Sequence, residues 1–315
     1  MQPEKDELRL AHLLLVHKNP DQVNAFLKQI ARDGRADVYV HVDKKSPEAV
    51  LEGIAGGPNV HVLSERIEVT WGDFSMIDAT LLLLRKMRGS GRSYDFVCLN
   101  SGQDLLVKDG LAEHLARNRG AIFMDPGRIE PGDPRSSSWR IRWPRVTRNR
   151  FDSPLHPFRL LRAGLGRLYS WGVNLCPNPR ALPDHHVFHR GSQWFCLPGE
   201  AAGYMLDYLD RNPACYEVFK EALVPDMSFF HTLIMNSPYA ERVAGEILTY
   251  LNFGKSYKDN NHAVVLTMKD VPDIEKSGKY FARKFDAGVD NRVIAYFCDR
   301  VESPPEPSLG RPRPA

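Results

Sequence analysis

Cysteine is scarce in this 315-residue chain and poorly arranged for chemistry. Cys98, Cys176, Cys196, Cys215 and Cys298 are odd in number, far apart and form no C-x-x-C pair. That argues against a disulfide-stapled small fold and against a thiolate zinc or dithiol site, so we read all five as reduced, mostly buried thiols. Long apolar runs are missing too. No window approaches the roughly 18 residues that a membrane helix needs, and the stretch from Leu8 to Val16 is too short and poorly flanked for a signal peptide. A cytoplasmic protein is the expectation. Lysine is absent from Arg128 to Arg190, where twelve arginines face only Glu130, Asp133, Asp152 and Asp184. What the chain does have is an ordinary globular balance, 43% hydrophobic and 26% charged, which excludes general disorder.

Apolar runs at Ala11–Val16, Val38–Val42, Val60–Leu63, Phe96–Leu99 and Ala121–Met124 alternate with helical patterns. This is the signature of an α/β layer on a mostly parallel central sheet flanked by helices. Asp21 to Ala31 carries Val23, Phe26, Leu27 and Ile30 at helical spacing; Asp73 to Met87 carries Phe74, Ile77, Leu81 and Leu84, with Asp73 suited to an N-cap. A strand-like run at 191–197 precedes a helix through Tyr204, Leu206 and Leu209. A further helix begins at Pro225-Asp226 and runs through Phe229, Phe230, Leu233 and Ile234, its first turn favouring the Asp226 carboxylate. The domain is read as residues 1–302, with halves 8–125 and 191–302 around an Arg- and Pro-rich insertion at 126–190. The proline-rich end from 303 is read as a disordered tail.

Ligands of open α/β sheets bind beyond the carboxyl ends of the strands, which directs attention to His17, Asp43, the stretch Asn100 to Asp104, and Asp125. Asp43 could accept from a ribose hydroxyl or a uracil imide, or cap the helix that starts near Ser46. Arg283 and Lys284 stand side by side among aromatics; such a pair suits a pyrophosphate, or is simply a solvated surface feature. His185, His186 and His189 cluster without a cysteine or acidic companion at ligand spacing, so a metal site is not expected there. The basic window, with Trp139, Trp143, Phe151, Phe158 and Trp171, suits an anionic acceptor, an acidic membrane surface or nucleic acid, though no nucleic-acid motif accompanies it. Within it, residues 157–173 form a weakly amphipathic basic helix that permits peripheral docking on a bilayer but is expected to pack on the domain.

Seven segments, in this order and spacing, resemble glycosyltransferase family 14, the core-2/I-branching β-1,6-N-acetylglucosaminyltransferases and peptide O-xylosyltransferases. They are His12 to Lys18, Val40-His41-Val42-Asp43, Val69-Thr70-Trp71-Gly72, Leu99-Asn100-Ser101-Gly102-Gln103-Asp104, Gly191-Ser192-Gln193-Trp194-Phe195, Ser228-Phe229-Phe230-His231-Thr232 and Phe281-Ala282-Arg283-Lys284-Phe285. The last three look closer to the xylosyltransferase branch. The resemblance implies a GT-A type fold that binds a UDP-sugar and transfers the sugar with inversion and without a metal cofactor. In keeping with that, the chain contains no Asp-x-Asp motif.

By the same resemblance, Arg283 and Lys284 meet the charge on the departing UDP, and His17 and Asp43 sit at its uridine end. Trp71, Ser101, Gln103, Ser192 and Trp194 fall where donor sugar and acceptor meet. The acceptor is a glycan, peptide or lipid-linked hydroxyl, and nucleic acid is not an expected partner. The catalytic glutamate of the family falls at Met227, which cannot accept a proton. Three readings stay open: Asp226 supplies the base, Asp104 does, or the chain binds nucleotide sugar without transferring it. Animal members carry an N-terminal anchor and disulfides, so this chain looks like a bacterial, cytoplasmic relative.

Overall fold

A computed structural model describes residues 8–302 other than Asp33, Pro131, Asp152, 183–185 and 255–262. The expected tail from 303, and His185, lie outside the described residues.

The first half runs β1 (Leu10–Val16), α1 (Pro20–Ala31), β2 (Ala36–Val42), α2 (Glu48–Glu52), β3 (Val60–Val62), α3 (Ser75–Gly89), β4 (Phe96–Ser101), β5 (Asp104–Leu106) and α4 (Leu111–Arg117). Every residue of β1 and β2 is buried, as expected of strands covered on both faces. They pair in parallel from Leu10 opposite Ala36 to Val16 opposite Val42, and β4 lies parallel on the other side of β1. Alternation sorts the side chains. Leu10, Leu14 and Val16 enter one core with Phe26 and Leu27 of α1, while Ala11, Leu13 and Leu15 enter the other with Ile77 and Leu84 of α3.

The insertion contains β6 (Gly127–Arg128), α5 (Ser137–Arg140), α6 (Pro157–Ser170) and β7 (His189–Arg190). Its two ends meet, since β6 and β7 pair antiparallel with Gly127 opposite Arg190. Its middle is pinned by the buried Arg148, whose Nη1 donates to Asp73 Oδ1 at 2.8 Å and to the Lys220 carbonyl at 2.7 Å. Asp73 is therefore not the N-cap expected of it: α3 starts at Ser75 behind Phe74, and the carboxylate is held by Arg148 instead. α6 packs as expected, but narrowly: Leu165, its one buried residue, joins Ile141 and Trp143 in a small core against which Tyr169 and Leu223 also lie.

The second half continues with β8 (Cys196–Pro198), α7 (Gly199–Arg211), α8 (Ala214–Lys220), α9 (Phe229–Met235), β9 (Thr249–Leu251), α10 (Val271–Ser277), β10 (Phe281–Arg283) and α11 (Asn291–Glu302). The main sheet has the order β3-β2-β1-β4-β8, with β8 antiparallel; β5, β10 and β9 form a second sheet. The α/β class with a mostly parallel sheet is thus as expected, but three expected elements differ. Ala121–Met124 makes only isolated bridges, Ile122 to Val243 and Phe123 to Cys196, because its two neighbours belong to different segments. The run 191–197 enters the sheet only at Cys196. The helix expected from Pro225 breaks at Ser228, leaving a 3-10 turn at Pro225–Met227 ahead of α9. None of the five cysteines is in a disulfide; Cys98, Cys196 and Cys215 are buried.

Candidate active site

The site forms where the motif loops gather at the carboxyl ends of β1, β2 and β4. In Asn100-Ser101-Gly102-Gln103-Asp104 most side chains are spent on architecture. Asn100 Oδ1 lies 2.9 Å from His12 Nδ1, and a Cβ on Gly102 would stand 2.8 Å from Val23 of α1. Gln103 Nε2 reaches the Phe285 carbonyl at 3.4 Å. Ser101 donates through its amide (3.0 Å) and hydroxyl (2.8 Å) to Asp104. The antiparallel pairing of β5 with β10 sets Asp104 opposite Arg283, whose Nε is 3.2 Å from Asp104 Oδ1. Burial pushes the Asp104 carboxyl up in pKa, against the Arg283 charge and the Ser101 hydrogen bonds. Its carboxylate is wholly enclosed, an arrangement that serves to hold Arg283.

Arg283 in turn lays its guanidinium carbon 3.6 Å from the centre of the Trp194 ring, and both residues are buried. Lys284 is the cation left over. Its ammonium has no hydrogen bond or ion pair among the described residues. Its pKa is pushed down to about 8, by burial first and then by Arg283 and Arg150, with Asp104 opposing and Lys18 adding. His17 belongs to the same neighbourhood: desolvation and Lys18 hold its pKa below the usual range, Asp43 opposes, and Lys284 and Arg283 add. Asp43 does not cap α2, which begins behind Pro47. Its Oδ1 accepts from the amides of Lys45 (3.0 Å) and Val69 (3.2 Å), which fastens the Val69-Thr70-Trp71-Gly72 stretch to the strand end. Trp71 faces the insertion, with the Arg162 guanidinium 5.6 Å from its ring centre.

A second cluster surrounds Asp226. Val224 adopts the left-handed conformation (φ 52), rare for a β-branched residue, and its amide donates to the Gly72 carbonyl at 2.9 Å. Strain of this kind gathers at functional sites. Asp226 follows on the 3-10 turn, with Oδ1 buried and without a hydrogen-bond partner among the described residues. Burial pushes its pKa up to about 6, with Arg190 the opposing charge. Arg190 Nη2 donates to Met227 Sδ at 3.2 Å, and the Gly191 amide donates to the Met227 carbonyl at 2.9 Å. The Ser192 amide donates to Asp125 Oδ1 at 2.7 Å, and the buried His231 has Nε2 3.6 Å from the same oxygen.

The structure thus brings His17, Asp43, Asp104, Trp194, Arg283 and Lys284 into one neighbourhood and leaves Asp226 in another. Residues 190–194 run between them, with Arg190 and Gly191 bonded to Met227 at one end and Trp194 against Arg283 at the other. Sequence reading gave no role of their own to Arg150, Arg190 and His231. The first two were submerged in an arginine-rich window, and no signal marked which of its members turns inward. Among the described residues no three His, Cys, Asp or Glu side chains are grouped to hold a metal ion. His186 and His189 are engaged separately, with Tyr208 OH (2.9 Å) and the Val187 carbonyl (3.0 Å).

Comparison with known proteins decides the family, since the Core-2/I-branching enzyme family matches residues 10–275. The chain belongs to that family. Among its relatives are xylosyltransferase oxt of Drosophila melanogaster, 24% identical over 92% of this chain, xylosyltransferase 1 of Rattus norvegicus (25%, 91%) and xylosyltransferase 2 of Homo sapiens (26%, 91%). The chain spans about a third of the length of these relatives, between 33% and 35%. A structure of mouse xyloside xylosyltransferase 1 in its apo form is 13% identical, with a TM-score of 0.36 over 87% of this chain and 97% of that one.

Proposed function

We propose that this member of the Core-2/I-branching family transfers a sugar, xylose or N-acetylglucosamine, from a UDP-sugar to an acceptor hydroxyl with inversion and without a metal ion. The observation that carries the reading is the Lys284 ammonium at the strand ends, which has no hydrogen bond or ion pair among the described residues and is crowded by Arg283, Arg150 and Lys18. Partly buried positive charge is stabilised by a bound anion, and a departing diphosphate supplies one. Family kinship and xylosyltransferase relatives support the activity. The acceptor is a glycan, peptide or lipid-linked hydroxyl.

Inversion needs a base to take the acceptor proton as the hydroxyl attacks the anomeric carbon opposite UDP. Asp226 suits it: a carboxyl raised to about 6 is ionised at neutral pH yet basic enough to accept. Asp104 is enclosed and committed to Arg283. One observation favours a second reading, a UDP-sugar binder without turnover: Met227 stands at the family glutamate position, its thioether engaged by Arg190. Calorimetric titration with UDP, UDP-N-acetylglucosamine and UDP-xylose in EDTA, followed by a UDP-release assay, separates the two. Metal-free binding with release supports transfer; binding without release supports the binder; no binding removes both.

A further inference from the structure

The described residues expose ten large apolar side chains, and eight of them lie between Val146 and Leu175, on and around α6. Leu155, Leu160, Trp171 and Leu175 are each more than half exposed, at 77%, 52%, 67% and 62%. Along α6 the outward stripe is Leu160, Gly164, Arg167 and Trp171, and a Cβ added to Gly164 would meet nothing within 4 Å. Exposed large apolar side chains gathered in one stretch of this kind mark an interaction surface. Its charge is of one sign: residues 153–175 contain Arg159, Arg162 and Arg167 and no aspartate or glutamate. Arg167 holds its guanidinium 5.3 Å from the centre of the Trp171 ring, so a cation and an amphipathic indole face out together.

Charge and apolarity together select the occupant. A second copy of the chain would bring two basic faces into contact. An RNA would match the arginines but leave Leu155, Leu160 and Leu161 in water. A bilayer with anionic headgroups satisfies both, since the leucines enter the acyl boundary while the indole and guanidinium stay at headgroup level. No helix among the described residues is long and apolar enough to cross a membrane, so the contact is peripheral. We infer that α6 and its flanking loops dock this protein on an anionic lipid surface. The opposite side of the same helix reaches the candidate site through Arg162, which lies over Trp71.

Flotation of the full chain with phosphatidylcholine vesicles, with and without phosphatidylglycerol, tests this. The expected result is flotation only with phosphatidylglycerol, weakened by salt. A double variant Leu160→Glu, Leu161→Glu should lose at least about tenfold in affinity, the cost of failing to bury leucine, and Trp171→Ser should weaken binding independently. An unchanged melting temperature shows that both variants fold. A chain that ignores both vesicles overturns the inference, as does phosphatidylglycerol binding that survives all three substitutions. Light scattering that shows a concentration-dependent dimer abolished by the leucine substitutions overturns it in favour of a second copy.

Discussion

Lys284 and Asp226 carry the chemistry of the proposal and titrate on either side of neutrality. Removing the Lys284 charge in Lys284→Ala should weaken UDP binding by about 10- to 100-fold, the worth of one charge-assisted contact, with the melting curve intact. Because the free ammonium titrates near 8, wild-type affinity for UDP should fall as pH rises through about 8, and the Ala variant should lose that dependence; calorimetry across pH reads both. Asp226→Asn should keep UDP binding and lower turnover by about 10²- to 10⁴-fold, and wild-type turnover should decline as pH falls through about 6. Stability moves the other way. A carboxyl raised from 3.8 to about 6 on folding contributes stability below the lower value, and that contribution is gone above the upper one. Asp226→Asn should therefore raise the melting temperature at pH 7 but not at pH 4. At this scale the cations were legible because Arg283 and Lys284 are adjacent in the chain. Asp104 as the Arg283 counterion could be read only from the pairing of β5 with β10, which joins segments far apart in sequence.

Among the elements, β1 and β2 were plain in the sequence because strands buried on both faces read as near-continuous apolar runs, interrupted only by His12, Asp37 and His41. The helix expected across 225–234 was legible only in its second half. Tertiary contacts took the first turn, with Val224 fixed to Gly72 and Met227 engaged by Arg190 and Gly191, so propensity lost to packing. Gly191 shows how tight that packing is, since a Cβ there would lie 2.4 Å from the Asp125 carbonyl and 2.6 Å from His231 Nε2. Gly191→Ala should displace the loop and lower turnover and donor affinity together, read by steady-state kinetics and calorimetry. A change confined to the melting temperature would show that the loop serves only stability. Asp73 was misplaced for a related reason: a good N-cap residue is also a good partner for a buried arginine, and Arg148 took it.

Across the whole molecule, acid should loosen the sheet at its functional end. His41 is buried in β2, where Nε2 accepts from the Ile67 amide at 2.8 Å, and burial holds its pKa down to about 4. A histidine kept neutral in this way contributes stability above its usual 6.5 that is lost as pH falls toward 4, about 3 kcal/mol in full. The denaturation midpoint should drop over that window, and the loop anchored by Ile67 should lose amide protection first. The insertion was legible as a change of texture but not as a structure, because the pairing of Gly127 with Arg190 that closes it depends on two two-residue strands with no pattern of their own. The stretch 190–194 meets Met227, the neighbour of the proposed base, at one end and Arg283 at the other, so under the proposed activity donor and acceptor should be thermodynamically linked. Whatever factor an occupied donor site adds to acceptor affinity, an occupied acceptor site returns to the donor, and a loop set by the nucleotide first would give the reaction a preferred order of addition.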